Sequence, residues 1–260
     1  MLFTDTHTHL YLKEFDSDRN KVIDNAIANG IRYILLPNID STSINDMLSI
    51  SDEYSDNCIP MMGLHPTSVK ENYKDELKIV EQWLAKRKFC AIGEIGIDLY
   101  WDKIYINEQK DAFIRQIELS IQYKLPIVMH MRNCFDEVFN IVQKYKNDNL
   151  SGVFHCFSGN VEQARKVIDL GFKIGIGGVV TFKNSGLDKV VEQIDLIHIL
   201  LETDSPYLAP VPFRGKRNES TYIIYIAKKI AEIKKVDISK VASVTSNNAI
   251  KLFDIQQVIK

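Results

Sequence analysis

Two rhythms of apolar and polar residues take turns along this chain from one end to the other. Short apolar runs lie at 1–4, 33–36, 58–63, 89–93, 126–129, 152–155, 172–177 and 197–202. Runs of this length, bounded by turn residues, predict buried strands. Between them, segments 18–29, 42–52, 73–86, 107–122, 134–145, 161–170 and 187–193 are amphipathic, and 221–235 and 238–253 follow the eighth run. Phe135, Val138, Phe139 and Val142 recur at helical steps, whereas Ile114, Ile117, Leu119 and Ile121 fit one helix face only loosely. Gly30 and Gly171 stand just past helical patterns, where a C-terminal cap favours a left-handed residue.

Strict alternation of strand and helix implies a parallel sheet. Eight strands at about thirty-residue spacing predict a closed (β/α)8 barrel of the TIM type, with an extra C-terminal helix. An open doubly wound sheet is the alternative, but it carries a glycine-rich phosphate loop after its first strand. Here that place reads DTHTHL, without glycine. No linker divides the chain, so one domain over 1–260 is expected.

Composition narrows the function. With 45% hydrophobic and 25% charged residues, the chain has the makeup of an ordinary globular protein. Cys58, Cys90, Cys134 and Cys156 form no C-x-x-C pair, which suggests free thiols in a reducing compartment. The opening MLFTDTHTHL lacks the features of a secretory signal, and no apolar run approaches the roughly 20 residues a bilayer requires. A cytoplasmic location is therefore expected. A net charge of −2 argues against a broad basic face that coats DNA. An enzyme that grips a few phosphates remains compatible.

The histidines carry the strongest signal. Of six, His7 and His9 follow the first strand, His65 the third, His130 ends the fifth and His155 the sixth; only His198, inside the eighth, is placed differently. Glu94 comes just after the fourth strand, and Glu202 and Asp204 end the eighth. In a parallel barrel the C-terminal strand ends share one mouth, so these groups converge. An H-x-H pair suits a strand end because alternate side chains point the same way. Glu94 can give one oxygen to each of two metal ions. Imidazoles with carboxylates suit zinc, manganese or iron, whereas magnesium prefers oxygen-rich sites.

The segments DTHTHL, GLHP, GEIGIDLYW, MHMRNCFDE, FHCFSG, GIGGVVTFKN, ETDSPYLAP and RGKRNE occur in the order typical of TatD-like hydrolases. The chain resembles that family from Asp5 to about Phe253. The resemblance implies a metal-dependent barrel of the amidohydrolase type, and the activity it suggests is that of a deoxyribonuclease. It implies that His7, His9, Glu94 and Asp204 hold one metal, and Glu94, His130 and His155 the other. His65 and Glu202 match positions associated with activity.

Two divalent ions (zinc, magnesium or manganese) would generate hydroxide and neutralise charge on a phosphoryl group. Asp204 is then the expected ligand and proton acceptor. Glu202 either contacts the metal surroundings or the leaving group, or forms a structural salt bridge. His65 is expected too far round the barrel to be assumed a ligand and is assigned to phosphate contact. Arg132 can offer a fork to a phosphate or pair with Asp136. Arg214, Gly215, Lys216 and Arg217 form either a phosphate-binding loop or a solvated one. Tyr100 and Trp101 either stack on bases or cover the rim, and Cys156 is assigned to packing.

The expected substrate is DNA with single-stranded or frayed ends, because a duplex about 20 Å wide cannot enter a barrel mouth. A 3′ end follows from the resemblance alone. The competing chemistry is an amidohydrolase-type esterase or D-aminoacyl-tRNA deacylase. Many small-ester relatives bridge their metals with a carboxylated lysine after the fourth strand, and no lysine lies between Cys90 and Trp101.

Overall fold

The computed structural model describes residues 1–101 and 103–258. All eight expected strands form: β1 (Phe3–Asp5), β2 (Ile31–Leu36), β3 (Cys58–Pro60), β4 (Ile92–Asp98), β5 (Ile127–Arg132), β6 (Gly152–Phe154), β7 (Lys173–Ile176) and β8 (Ile199–Leu201). They pair in parallel as two arcs, β1-β2-β3 and β4 through β8. Bridges between Met62 and Ile92 and between Thr8 and Ser205 join the arcs at both seams. There Gly93 N–H donates to the Met62 carbonyl and Thr6 N–H to that of Leu201, each at 3.0 Å. The strands thus follow one another round a (β/α)8 barrel.

The helices are α1 (Arg19–Ala28), α2 (Ile44–Glu53), α3 (Tyr73–Lys86), α4 (Ile106–Tyr123), α5 (Phe135–Gln143), α6 (Val161–Asp169), α7 (Leu187–Gln193), α8 (Ile223–Lys234), α9 (Ile238–Leu252) and α10 (Ile255–Val258). Periodicity set the limits of α3 and α7 correctly, and a four-residue helix such as α10 is too short to show any. Gly30 and Gly171 take φ of +88° and +87°, the left-handed conformation expected past a helix end. The loose apolar pattern of α4 has a physical cause. Its buried face carries Gln109, Gln116 and Ser120 beside Ala112, Phe113, Ile117 and Leu119.

Those glutamines hold the barrel's mouth together. Gln116 accepts from Leu64 N–H at 2.7 Å and donates to the Leu64 carbonyl at 3.1 Å, while Gln109 accepts from Asp98 N–H at 2.9 Å. The chain after β3 and the end of β4 are thereby fixed to α4. At the opposite end, Leu35, Ile59, Met61, Val128, Val153 and Leu200 fill the interior and pack on Ala249, Phe253 and Ile255. The C-terminal segment is a plug. A second, larger apolar layer lies between the sheet and the surrounding helices.

Two placements differ from expectation. His198 lies in a 3-10 turn, Leu196–His198, before β8 rather than within it. Glu94 lies inside β4, at a register shift between Gly93 and Ile95, rather than after the strand. A bulge re-aims a side chain, so a one-residue irregularity decides where this carboxylate points. No described helix is long and apolar enough to cross a membrane.

Candidate metal centre

Five imidazoles and two carboxylates meet at the mouth of the barrel. Glu94, 2% exposed, divides them: its Oε2 lies 3.0 Å from His7 Nε2 and 3.5 Å from His9 Nε2. Its Oε1 lies 2.9 Å from His130 Nδ1 and 3.8 Å from His155 Nε2. Asp204 Oδ1 is 3.6 Å from His9 Nε2 and 3.8 Å from Nε2 of both His7 and His155. The groups compact enough to hold an ion are His7–His9–Glu94, His7–His155–Asp204 and His65–Glu94–His130.

Hydrogen bonds behind the rings set their tautomers, as commonly happens around metal ligands. The Tyr11 hydroxyl donates to the Pro37 carbonyl at 2.5 Å, so its oxygen accepts from His9 Nδ1–H at 2.8 Å. That leaves a lone pair on His9 Nε2. Asp98 Oδ2 accepts from His130 Nε2–H at 2.9 Å, leaving His130 Nδ1 to face Glu94. Glu202 Oε2 lies 3.1 Å from His155 Nδ1, within ion-pair reach although the angle falls short of a hydrogen bond. Because a carboxylate can only accept, Nδ1 carries the proton and Nε2 faces the cluster. Ring nitrogens and carboxylate oxygens therefore crowd the centre, with His7 and His9 Nε2 only 3.2 Å apart. A divalent cation would take the place of the ring protons between these groups, and such a donor set fits zinc, manganese or iron.

Charge follows from the same contacts. Burial pushes the Glu94 carboxyl up, but the fields of His65 and His7 and the hydrogen bond from His130 outweigh it and hold it well below its ordinary range. Asp204 is likewise pushed up by burial and brought below the usual range by the imidazoles of His9, His155 and His7 around it. Burial lowers His155, yet Glu202 beside it raises its pKa to about 10. Burial also lowers His130, and Asp98 and Glu94 raise it to about 9. In His7 burial wins, assisted by His155, and the pKa falls to about 4.

His65 needs a correction of place. It is not too far round the barrel, since its Nε2 lies 3.4 Å from Glu94 Oε1 and 3.2 Å from His130 Nδ1. Its Nδ1 accepts from Thr67 N–H at 3.1 Å, and burial lowers its pKa. The neutral ring therefore bears its proton on Nε2, which makes it a donor pointing into the site rather than a lone pair.

Glu202 is buried, with Oε1 accepting from Cys156 N–H at 2.6 Å. Gly175 leaves it room, because a Cβ there would sit 2.3 Å from Glu202 Oε2. Two carboxylates beyond the expected set also belong to the site. Asp98 holds His130, as described. Asp5 accepts from Thr203 N–H at 2.9 Å and from the Thr203 hydroxyl at 2.6 Å, and burial raises its pKa to about 7. It thus ties β1 to the residue before Asp204, which itself sits at φ +57°. The spacing 94, 96, 98 along one strand was a readable signal for Asp98, and Asp5 stood inside DTHTHL.

The surrounding cavity measures about 970 Å³, and Arg132, Arg214 and Lys216 line it. Arg217 does not. It turns outward to Asp18, with two contacts of 2.7 Å, and to Glu219 at 3.1 Å, so of this run only Arg214, Gly215 and Lys216 face the cavity. Among the described residues Arg132 pairs with no carboxylate, Asp136 included; its guanidinium lies on Tyr100 instead. The four cysteines are free, and Cys156 is half-buried.

Residues 4–254 match the model of the family described as TatD related DNase. The chain is 38% identical to the uncharacterized metal-dependent hydrolase YabD of Bacillus subtilis, over 98% of this chain and all of that protein. It is 32% identical to the uncharacterized metal-dependent hydrolase YcfH of Escherichia coli, over 98% and 97% of the two chains. The crystal structure of YjjV, a TatD homologue from Escherichia coli, superposes with a TM-score of 0.91 at 28% identity, covering 97% of this chain and 98% of that one. An Escherichia coli phosphotriesterase homology protein, 15% identical with a TM-score of 0.72, shares the fold. The chain belongs to the TatD family, whose members matched here are metal-dependent hydrolases.

Proposed function

We propose that the protein is a deoxyribonuclease that hydrolyses phosphodiester bonds with two divalent ions, acting from single-stranded or frayed ends in the 3′ to 5′ direction. The observation that carries this reading is the division of Glu94, one oxygen toward His7 and His9 and the other toward His130 and His155. Bound divalent ions supply an activated water near neutral pH and neutralise charge on the phosphoryl oxygens.

The chain's own groups do the rest. Asp204, kept ionised by its neighbours, accepts the proton of the attacking water. The Nε2–H of His65 donates to a phosphoryl oxygen, a contact that strengthens as charge develops there. Arg132 and Arg214 reach phosphates from the cavity wall. Tyr11, Asp98 and Glu202 hold the imidazoles of His9, His130 and His155 in one tautomer each. The ligands lie deep in the mouth, where a chain end can enter more readily than a duplex can.

The test is a time course on labelled linear and covalently closed circular single strands, using chelated and then metal-restored protein. Linear strands should shorten from the 3′ end only after restoration, while circles persist. Cleavage of circles at the rate of linear strands would contradict the requirement for an end. Failure to cut either with metal restored would contradict the nuclease reading itself.

A further inference from the structure

Beside the metal centre the rim carries two aromatic rings that differ in one respect. Trp101 and Arg132 line the cavity, and Tyr100 does not. The Arg132 guanidinium lies 3.8 Å from the centroid of the Tyr100 ring and 5.3 Å from that of Trp101, and the two rings meet edge to face at 5.0 Å. They are also open to solvent, Tyr100 54% and Trp101 68% exposed. Rings that merely covered the barrel would be buried by it.

This pair is held in register with the chemistry. Asp98 Oδ1 accepts from the backbone N–H of both Tyr100 and Trp101 at 2.8 Å, while its Oδ2 accepts from His130 Nε2–H at 2.9 Å. One buried carboxylate therefore fixes the aromatic corner relative to an imidazole of the metal centre. Arg132 stands two residues beyond His130 on β5, roughly 7 Å farther along the strand. A step of that size carries a chain from a phosphate at the metal centre to its adjoining nucleoside.

We propose, resting on the nuclease reading, that Trp101 is the platform on which the base next to the scissile phosphate stacks. Tyr100 is a positioning residue that holds the Arg132 guanidinium beside that base, with its fork turned to the phosphate. The occupant is the end of a single strand rather than a second copy of this chain. A guanidinium that pairs with no carboxylate among the described residues, set near an open indole, matches a ligand that joins an anion to a flat ring, and a nucleotide is both. Stacking on a π-face tolerates any base, so the platform gives a preference for having a base and little preference among bases.

The experiment compares kcat/KM on two single strands, one with ordinary terminal nucleotides and one whose terminal nucleotides are abasic. Wild-type protein should favour the ordinary strand by about 10- to 100-fold, mainly through KM. In Trp101→Ala the ratio should fall to near one, and Trp101→Phe, which restores a ring, should recover most of it. Full discrimination in Trp101→Ala, or none in the wild type, would overturn the platform while leaving the nuclease reading in place. Cleavage of neither strand by metal-loaded wild type would remove that reading and the platform with it. A dimer that dissociates on Trp101→Ala would assign the indole to contact between copies instead.

Discussion

Two residues along a strand separate the two halves of the barrel interior. On β5, Val128 belongs to the apolar plug and His130 to the cavity; on β6 and its end the pair is Val153 and His155, and on β8 and its end Leu200 and Glu202. Each step of two keeps the side chain on the same face of the strand. The backbone is therefore the same device in both halves, and only its surroundings differ. At the bottom, Phe253 and Ile255 close the barrel and exclude polar groups. At the top none of the described residues closes it, and the buried charges of the site are met by an opposite charge or a donor. The lower half keeps the fold at the expense of no function, and the upper half carries chemistry that the lower half must stabilise.

The sharpest way to break this comparison is to truncate one residue in each half. Glu94→Ala should lower the rate of DNA hydrolysis by at least ~100-fold, the scale of losing a charge aligned with the reaction, with thermal unfolding near that of wild type. Leu200→Ala should do the reverse, costing about 2–5 kcal/mol of stability while the folded protein retains its specific activity. Denaturation curves and initial rates on both variants decide the matter. A Glu94→Ala protein that failed to fold, or a folded Leu200→Ala protein that was inactive, would dissolve the distinction between the halves.

A smaller effect separates groups that orient ligands from the ligands themselves. Glu202→Gln and Asp98→Asn each keep the shape but weaken the hold on His155 and His130. Metal affinity or activity should fall by about 10- to 100-fold, as is usual for outer partners of ligands, and added metal should restore part of the loss. Unchanged metal affinity and activity in both would show that the tautomers are set by something else.

Much of this arrangement was legible from the sequence, for physical reasons that can be named. Period-two and period-3.6 patterns report burial directly, so the eight strands and the limits of α3 and α7 could be read. Histidines at strand ends converge in any parallel barrel, so the gathering of His7, His9, His130 and His155 required only the topology. What escaped depends on local geometry that no period encodes. The bulge at Glu94 moves its carboxylate inward. His65 returns to the site because Gln116 of α4 grips the backbone of Leu64. Arg217 leaves the cavity because Asp18 and Glu219 lie on its other side.

That last pair gives the smallest expected effect, at the outer edge of the mouth. The hydrogen bond from Arg217, opposed by burial, holds Asp18 below its ordinary range. A depressed carboxyl contributes stability above its unfolded pKa and loses it as pH falls through the folded value. Arg217→Ala should therefore cost about 1 kcal/mol or less at neutral pH, and the difference from wild type should vanish in acid. Thermal melts across that range check the sign, and activity per folded molecule should hardly change.

The central claim is that Glu94 joins two ion sites at the polar end of an otherwise apolar barrel. Metal content per chain, measured after equilibration with zinc and removal of excess, tests it most directly. Wild type and Leu200→Ala should each retain about two ions per chain, and folded Glu94→Ala fewer than about one. Retention of two ions by Glu94→Ala, or of none by wild type, would contradict the account.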